Sequence, residues 1–390
     1  MTRETVVIVG ASLAGGTAAF AARESGYEGR LLLIGAEPHL PYGRPPLSKT
    51  YLRGEGGFED WVVKPEAEYG SQGVETMVST SVTLVDPHRH RVVLDRGEDI
   101  EYTRLVLATG GRNRTLPIPG HDLPGVLSLR TVEDADSIRE TARRSRRAVV
   151  AGLGFIGSEV AASLRTMGLE VVAVGSESLP LQRVFGAEVG RVLATMHRDH
   201  GVELVLGEQV TAFEGSGRVE RVRTRSGRIL ECDFVVTGFG ILPNVELLER
   251  AGAQVDNGVL VDEYCRTSLP DIFAAGDVAN RYHPLFGQRL RLEHWNNGDR
   301  QGRIAGRNVA GRKDVYADIP SFWSDEYQDQ IEYVGHHTVF DQLVVRGDTS
   351  RREFYAYYLF EGLVRAVGAM GHGDEIVPEL EQQILKPLRP

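Results

Sequence analysis

Two strand, glycine-turn and helix units set about 140 residues apart constrain this chain more than any other feature. The complete one runs from Ala148-Val149-Val150-Ala151 through Gly152-Leu153-Gly154-Phe155-Ile156-Gly157, a helix from Ser158 to Met167, and a second apolar run over 170–174. The earlier unit has Val6-Val7-Ile8-Val9, the turn Gly10-Ala11-Ser12-Leu13-Ala14-Gly15, an Ala-rich helix from Thr17 to about Glu24, and Leu31-Leu32-Leu33-Ile34. In such turns the first glycine permits the bend and the last lets helix and strand pack closely. The N–H groups at the helix start can receive a pyrophosphate. In the first unit Ser12 replaces the middle glycine, and Glu37 is the nearest acid that could accept a hydrogen bond from an adenosine ribose. The pair of units predicts an α/β fold that binds two dinucleotides, an arrangement suited to electron transfer between them.

The 390 residues suggest two to three domains. A net charge of −10 argues against non-specific nucleic-acid binding, and no apolar stretch approaches a membrane span. The apolar start is broken by its glycine turn and lacks a basic leader, so it does not read as a signal peptide, and the cytoplasm is the expected compartment. Cys232 and Cys265 stand far apart, in no metal-ligand or disulfide-framework spacing, so no metal site is expected.

Between the units, the Pro-rich segment 38–49 is expected to fix Arg44 and Lys49 in place. Short strands with a hairpin at Asp86-Pro87-His88-Arg89 follow, then a buried strand from Arg104 that closes on Ala108-Thr109-Gly110-Gly111. Residues 117–124 read as a linker. After the second unit come short strands with hairpins at 215–217 and 226–227, and Phe234 to Gly238 echoes Leu105 to Gly110. A strand from Asp271 leads through Gly276 to Asp277 and is followed by a helix from Asn297 to Asn308. Both are expected to return the chain to the first domain. From about Pro320 alternating strands predict a small antiparallel sheet and a C-terminal helix from Pro378 to Leu385.

Five motifs occur in register: Pro-Pro-Leu-Ser-Lys at 45–49, Ala-Thr-Gly at 108–110, Gly-Leu-Gly-Phe-Ile-Gly-Ser-Glu at 152–159, Ala-Ala-Gly-Asp at 274–277 and Glu-His-Trp at 293–295. Together they resemble the FAD- and NADH-dependent ferredoxin reductases that feed bacterial oxygenases and cytochromes P450, relatives of putidaredoxin reductase and of apoptosis-inducing factor. The resemblance covers nearly the whole chain. It implies two Rossmann-like, glutathione-reductase-like domains and a small C-terminal α+β domain: 1–112 with 238–316 for FAD, 113–237 for NAD, and 317–390. It further implies that Gly10, Ser12, Leu13, Ala14, Gly15 and Glu37 hold the ADP half of FAD, with Arg44 and Lys49 near its phosphates and ring. Val82, Ala108, Thr109, Gly110, Arg130, Gly276 and Asp277, and Glu293, His294 and Trp295 near the isoalloxazine, complete the expected flavin contacts, and Gly238 is a further expected cofactor contact. Gly152, Gly154, Phe155, Ile156, Gly157 and Glu177 would hold NAD(H). Lys49, Glu159 and Trp295 are the expected catalytic residues, with Lys49 and Glu159 meeting beside the stacked rings. His294 is expected to be a hydrogen-bonded structural histidine, outside the catalytic set.

The family's usual acid after the second strand of the NAD unit is replaced by Gly175, so Glu177 is expected to substitute and NADH to be favoured over NADPH. The only arginine nearby in sequence is Arg183. With no redox cysteine pair, the electrons must leave for an external acceptor. A [2Fe-2S] ferredoxin is the implied partner, and a stripe of Arg300, Arg303 and Arg307 on the 297–308 helix is its expected docking face. An NAD(P)H oxidase or quinone reductase, or a redox-controlled binding protein like apoptosis-inducing factor, are the alternatives. Oligomeric state stays open, with a homodimer compatible with the sequence.

Overall fold

In the computed structural model, which describes residues 4–388, contacts divide the chain into two compact units. The first comprises residues up to 43, 61–112 and 242–320, and the second comprises 44–60, 113–241 and the chain from 321 onward. The expected outer domain bounds at residues 1 and 390 fall outside the described residues.

The first unit is built on a five-stranded parallel sheet, in the order Ile272–Ala274, Arg104–Leu107, Thr5–Val9, Arg30–Ile34, Val74–Met77. Val7 lies beside Leu32 on one side and Leu105 on the other. Because side chains alternate across a strand, Val6 and Ile8 join a core on one face while Val7 and Val9 join another on the opposite face. The first face is covered by helix Leu13–Glu24 and the long helix Trp295–Val309. These two helices approach closely because small residues meet: a Cβ on Gly302 would lie 2.5 Å from the Ala14 carbonyl oxygen, and one on Gly306 would lie 2.2 Å from that of Ala18. The other face carries an antiparallel sheet of Val82–Asp86, Arg91–Leu94 and Asp99–Glu101.

The second unit repeats the plan with Glu203–Leu206, Glu170–Gly175, Arg147–Ala151, Phe234–Thr237 and Val126–Ser128 in one parallel sheet, and helix Phe155–Thr166 beside it. Two helices that the sequence pattern did not announce belong here. Val132–Arg143 starts in a capping box made by Thr131 and Asp134. Gln182–Asp199 is interrupted at Gly186, whose φ of 74° no helix accommodates. Phe185, Val189, Leu193 and Met196 of that segment pack against Phe322, Tyr333 and Tyr358 of the C-terminal sheet. That sheet is antiparallel, in the order Ser321–Glu326, Asp329–Gly335, Leu363–Met370, Glu353–Phe360, Gln342–Asp348.

The C-terminal helix is shorter than the sequence suggested, running only from Val377 to Glu381. Beyond it the backbone leaves the helical path to bond with strand Leu363–Met370, with Leu385 N–H donating to the Val364 carbonyl and Val364 N–H donating to that of Lys386. No helix among the described residues is long and apolar enough to cross a membrane.

Candidate functional site

The turn of the first unit is closed by backbone. Gly10 has φ of 116°, and a Cβ there would lie 2.2 Å from the Ala108 carbonyl oxygen, while one on Gly15 would lie 1.9 Å from that of Gly10. Ser12 caps helix Leu13–Glu24 in an extended conformation, and its side chain makes no capping bond. The leading N–H groups are therefore left for a ligand. Ala14 sits 2.9 Å from where a Gly276 Cβ would be, and Leu13 meets Gly298. Thr109 and Asn244 clasp reciprocally, with Thr109 Oγ1 donating to the Asn244 carbonyl and Asn244 Nδ2 to that of Thr109, both at 2.9 Å; Gly110 accepts from Asn244 N–H. Gly10, Ser12, Leu13, Ala14, Gly15, Ala108, Thr109, Gly110 and Gly276 thus gather around one helix start.

The remaining expected flavin contacts of this unit are spread around that centre. Glu37 follows strand Arg30–Ile34 and accepts the Tyr42 hydroxyl proton. Arg291 joins two of them, pairing with Glu293 at 2.7 Å and donating to the Asp277 carbonyl at 3.2 Å. His294 is the N-cap of the long helix and Trp295 its first residue. A Cβ on Gly43 would lie 2.9 Å from Trp295 Nε1 and 3.2 Å from the Trp61 ring, so two indoles close on a bare backbone there. Val82 instead packs with the core on the sheet face opposite helix Leu13–Glu24.

The second turn has the same tight closure and one added opening. A Cβ on Gly152 would lie 2.3 Å from the Gly238 carbonyl oxygen, and one on Gly157 would lie 1.8 Å from that of Gly152. Around Gly154 there is nothing within 4 Å of a Cβ position. Gly154 is also the N-cap of helix Phe155–Thr166, which has no acid in its first turn. Close contact where helix meets strand and open space at the middle glycine are what a pyrophosphate requires. The residues present therefore fit a dinucleotide in each unit. Phe155 turns inward, its ring 4.9 Å from that of Phe322, whereas Ile156 is exposed.

Past strand Glu170–Gly175, Glu177 forms an ion pair with Arg183 and also accepts the Arg183 backbone N–H at 3.2 Å. Its own carbonyl receives Gly207 N–H. Beside it opens a cleft of about 360 Å³ lined by Ser176, Gly207, Glu208, Gln209, Arg225 and Ser226. Arg225 is thus a second arginine close to this strand end, supplied by a hairpin fifty residues on that sequence proximity could not reveal.

The second unit also brings Lys49 and Glu159 together. Lys49 lies between the 3₁₀ turn Pro45–Ser48 and helix Thr50–Arg53, and its Nζ stands 2.9 Å from Glu159 Oε2, with side chains only 10% and 4% exposed. Ser48 Oγ donates to the same oxygen at 2.5 Å, and Ser324 Oγ donates to Oε1 at 2.6 Å. Lys49 donates further to the Pro45 carbonyl at 3.3 Å. Arg44 donates to the Arg130 carbonyl, and Arg130 N–H to Asp134 Oδ2. Ser48 lies within the 45–49 motif and Ser324 in none of the five; only the fold shows that both meet the carboxylate.

Neither cysteine stands in a redox pair. Cys232 and Cys265 are both free and buried, one in each unit, and burial pushes each thiol up to about 12. The arginines of the long helix each meet local groups. Arg300 donates to the Ile319 carbonyl, Arg303 lies near Asp299 and Glu24, and Arg307 pairs with Asp314 at 2.6 Å. Local acids and carbonyls therefore engage these charges, Asp299 among them.

The pyridine nucleotide-disulphide oxidoreductase profile matches residues 4–302, and the reductase C-terminal profile matches 321–380. The chain belongs to the pyridine nucleotide-disulphide oxidoreductase family. This oxidoreductase is 38% identical over 351 residues to rhodocoxin reductase of Rhodococcus erythropolis, covering 90% of this chain and 82% of the relative. It is also 38% identical to the ferredoxin–NAD(+) reductase component of the anthranilate 1,2-dioxygenase system of Burkholderia cepacia, over 96% of this chain and 93% of the relative. Among solved structures, the covalent putidaredoxin reductase–putidaredoxin complex superimposes with a TM-score of 0.93 at 36% identity, covering 97% of this chain and 91% of the other. The α/β architecture and the resemblance read from five motifs agree with these likenesses.

Proposed function

We propose that this oxidoreductase is a ferredoxin reductase that uses FAD and takes electrons from NADH. The observation that carries the reading is a tightly closed glycine turn after the central strand of a parallel sheet in each unit, with open space at Gly154 in the second, in a chain matched nearly end to end by ferredoxin reductases. FAD is assigned to 1–112 with 238–316, NAD(H) to 113–237, and 317–390 forms the C-terminal domain. When bound, the two cofactors supply the redox chemistry: a hydride passes from nicotinamide to flavin, and the electrons leave singly to the ferredoxin.

The chain's own residues bind, orient and shield. Helix N–H groups after Ser12 and Gly154 neutralise pyrophosphate charge. Lys49 supplies a buried positive charge where negative charge arrives with the electron pair, and Glu159 keeps that ammonium fixed. The Trp61 and Trp295 indoles around Gly43 exclude water, and Arg291 orders the Asp277–Glu293 edge. Glu177 supports NADH over NADPH as the acid after strand Glu170–Gly175, suited to accept a ribose hydroxyl and to repel a 2′-phosphate; its carboxylate also pairs with Arg183, which leaves Arg225 as the other cation at that strand end. A [2Fe-2S] ferredoxin serving an oxygenase or P450 is the acceptor this reading favours.

The test is anaerobic reduction of the FAD-loaded protein by NADH and by NADPH, followed by added [2Fe-2S] ferredoxins with cytochrome c as reporter. Faster bleaching with NADH and saturable, ferredoxin-dependent cytochrome reduction are expected. Turnover indifferent to every ferredoxin would overturn the assignment in favour of an oxidase or quinone reductase.

A further inference from the structure

The Glu159 carboxylate is held from three directions inside the protein. Oε2 takes the Lys49 ammonium at 2.9 Å and the Ser48 hydroxyl at 2.5 Å, leaving Oε1 to Ser324 at 2.6 Å. Ser48, Lys49, Glu159 and Ser324 are each less than a tenth exposed. One helical turn beyond Glu159, Ser163 Oγ donates to the Ser48 carbonyl at 2.6 Å, so the helix holds the segment that carries Lys49 as well.

Ser324 comes from a different part of the fold, the strand Ser321–Glu326 at the edge of the C-terminal sheet. Alternation puts Phe322, Ser324 and Glu326 on one face of that strand. Phe322 packs on Phe155, and Glu326 lies 3.0 Å from His197 Nε2, so this face is turned toward the helices of the second unit. The Ser324 hydroxyl gives a buried carboxylate oxygen a donor, and such an oxygen without one is costly.

We propose that Ser324 is a positioning residue for flavin reduction. By occupying Oε1 it stops the carboxylate from rotating, and Oε2 stays directed at Lys49. The C-terminal sheet thereby sets the geometry of the ion pair on which hydride transfer depends. This inference rests on the role assigned to Lys49 and Glu159 above.

The experiment compares Ser324→Ala and Ser324→Thr in the FAD-loaded protein by anaerobic stopped flow, with Glu159→Gln and Lys49→Met as references. Three quantities are read: the limiting rate of flavin reduction, the NADH dissociation constant, and the rate at which chemically reduced protein passes electrons to a [2Fe-2S] ferredoxin. Ser324→Ala is expected to lower the limiting rate roughly tenfold while leaving the other two within about twofold, since small misplacements of a reacting group cost rate before affinity. Ser324→Thr, which keeps the hydroxyl, restores the limiting rate. Equal slowing by Ala and Thr would reduce Ser324 to a packing role and overturn the inference. A normal rate in Ser324→Ala beside slow Glu159→Gln and Lys49→Met would overturn it too, with the ion-pair reading intact. Normal rates in all of these variants would remove the ion-pair reading itself.

Discussion

Glu332 shows how one side chain in this fold responds to its surroundings. It sits in strand Asp329–Gly335 opposite Trp323, 3% exposed, and burial followed by the negative charges of Asp374 and Asp325 pushes its carboxyl up to about 8. An unfolded glutamate titrates near ~4.3, so in the intervening range the native chain keeps a proton that the unfolded chain has lost. The stability tied to this group is complete below that unfolded value and falls as pH rises through about 8. Glu332→Gln is accordingly expected to melt at a higher temperature than the parent at roughly pH 9 and at about the same temperature near pH 4. Thermal melts across that range check it; parallel curves for the two proteins would refute it. Nothing in the sequence distinguishes Glu332 from other strand glutamates, because the shift comes first from burial and then from Asp374, forty-two positions away, and Asp325.

At the scale of elements, the two glycine turns were legible because their chemistry is local. A bend, a close helix–strand contact and an apolar run all lie within thirty residues, and the observed strands Thr5–Val9 and Arg147–Ala151 fall within one residue of the expected runs. The glycines of one turn nevertheless have different tasks. Gly157→Ala would drive a methyl group to 1.8 Å from a backbone oxygen and is expected to cost roughly 3 kcal/mol in stability. Gly154→Ala has open space around it, so the ligand-free melting temperature should hold while NADH affinity, measured by calorimetry, drops at least about tenfold. Equal loss of stability in both variants would contradict this division. Helix Gln182–Asp199 escaped sequence reading for the opposite reason. Glycines at 186 and 190 blur its period, and its apolar side is defined by packing on the C-terminal sheet.

Across the whole molecule, long-range pairing decides what charge patterns mean. Arg300, Arg303 and Arg307 form a stripe in sequence, yet Glu24, which lies near Arg303, belongs to a helix almost three hundred residues earlier. Paired charges act as short dipoles whose field fades faster than that of a lone cation, and salt screens the remainder. Arg303→Ala and Arg307→Ala are therefore expected to change ferredoxin-dependent cytochrome reduction by less than about twofold from low to physiological ionic strength. A collapse of the low-salt rate in either variant would restore the helix as a docking face. The segmented course of the chain has a different consequence, one of timing. The first sheet needs its edge strand Ile272–Ala274, and helix Leu13–Glu24 needs Trp295–Val309 to cover its small-residue side. During synthesis the N-terminal nucleotide turn leaves the ribosome first but must wait for the 113–241 segment to be made before its own layer can close. The unit that begins the chain thus stays incomplete until its segment 242–320 has been made, and a nascent chain stalled before residue 272 would display an unpaired strand edge and an uncovered helix to the cell's folding machinery.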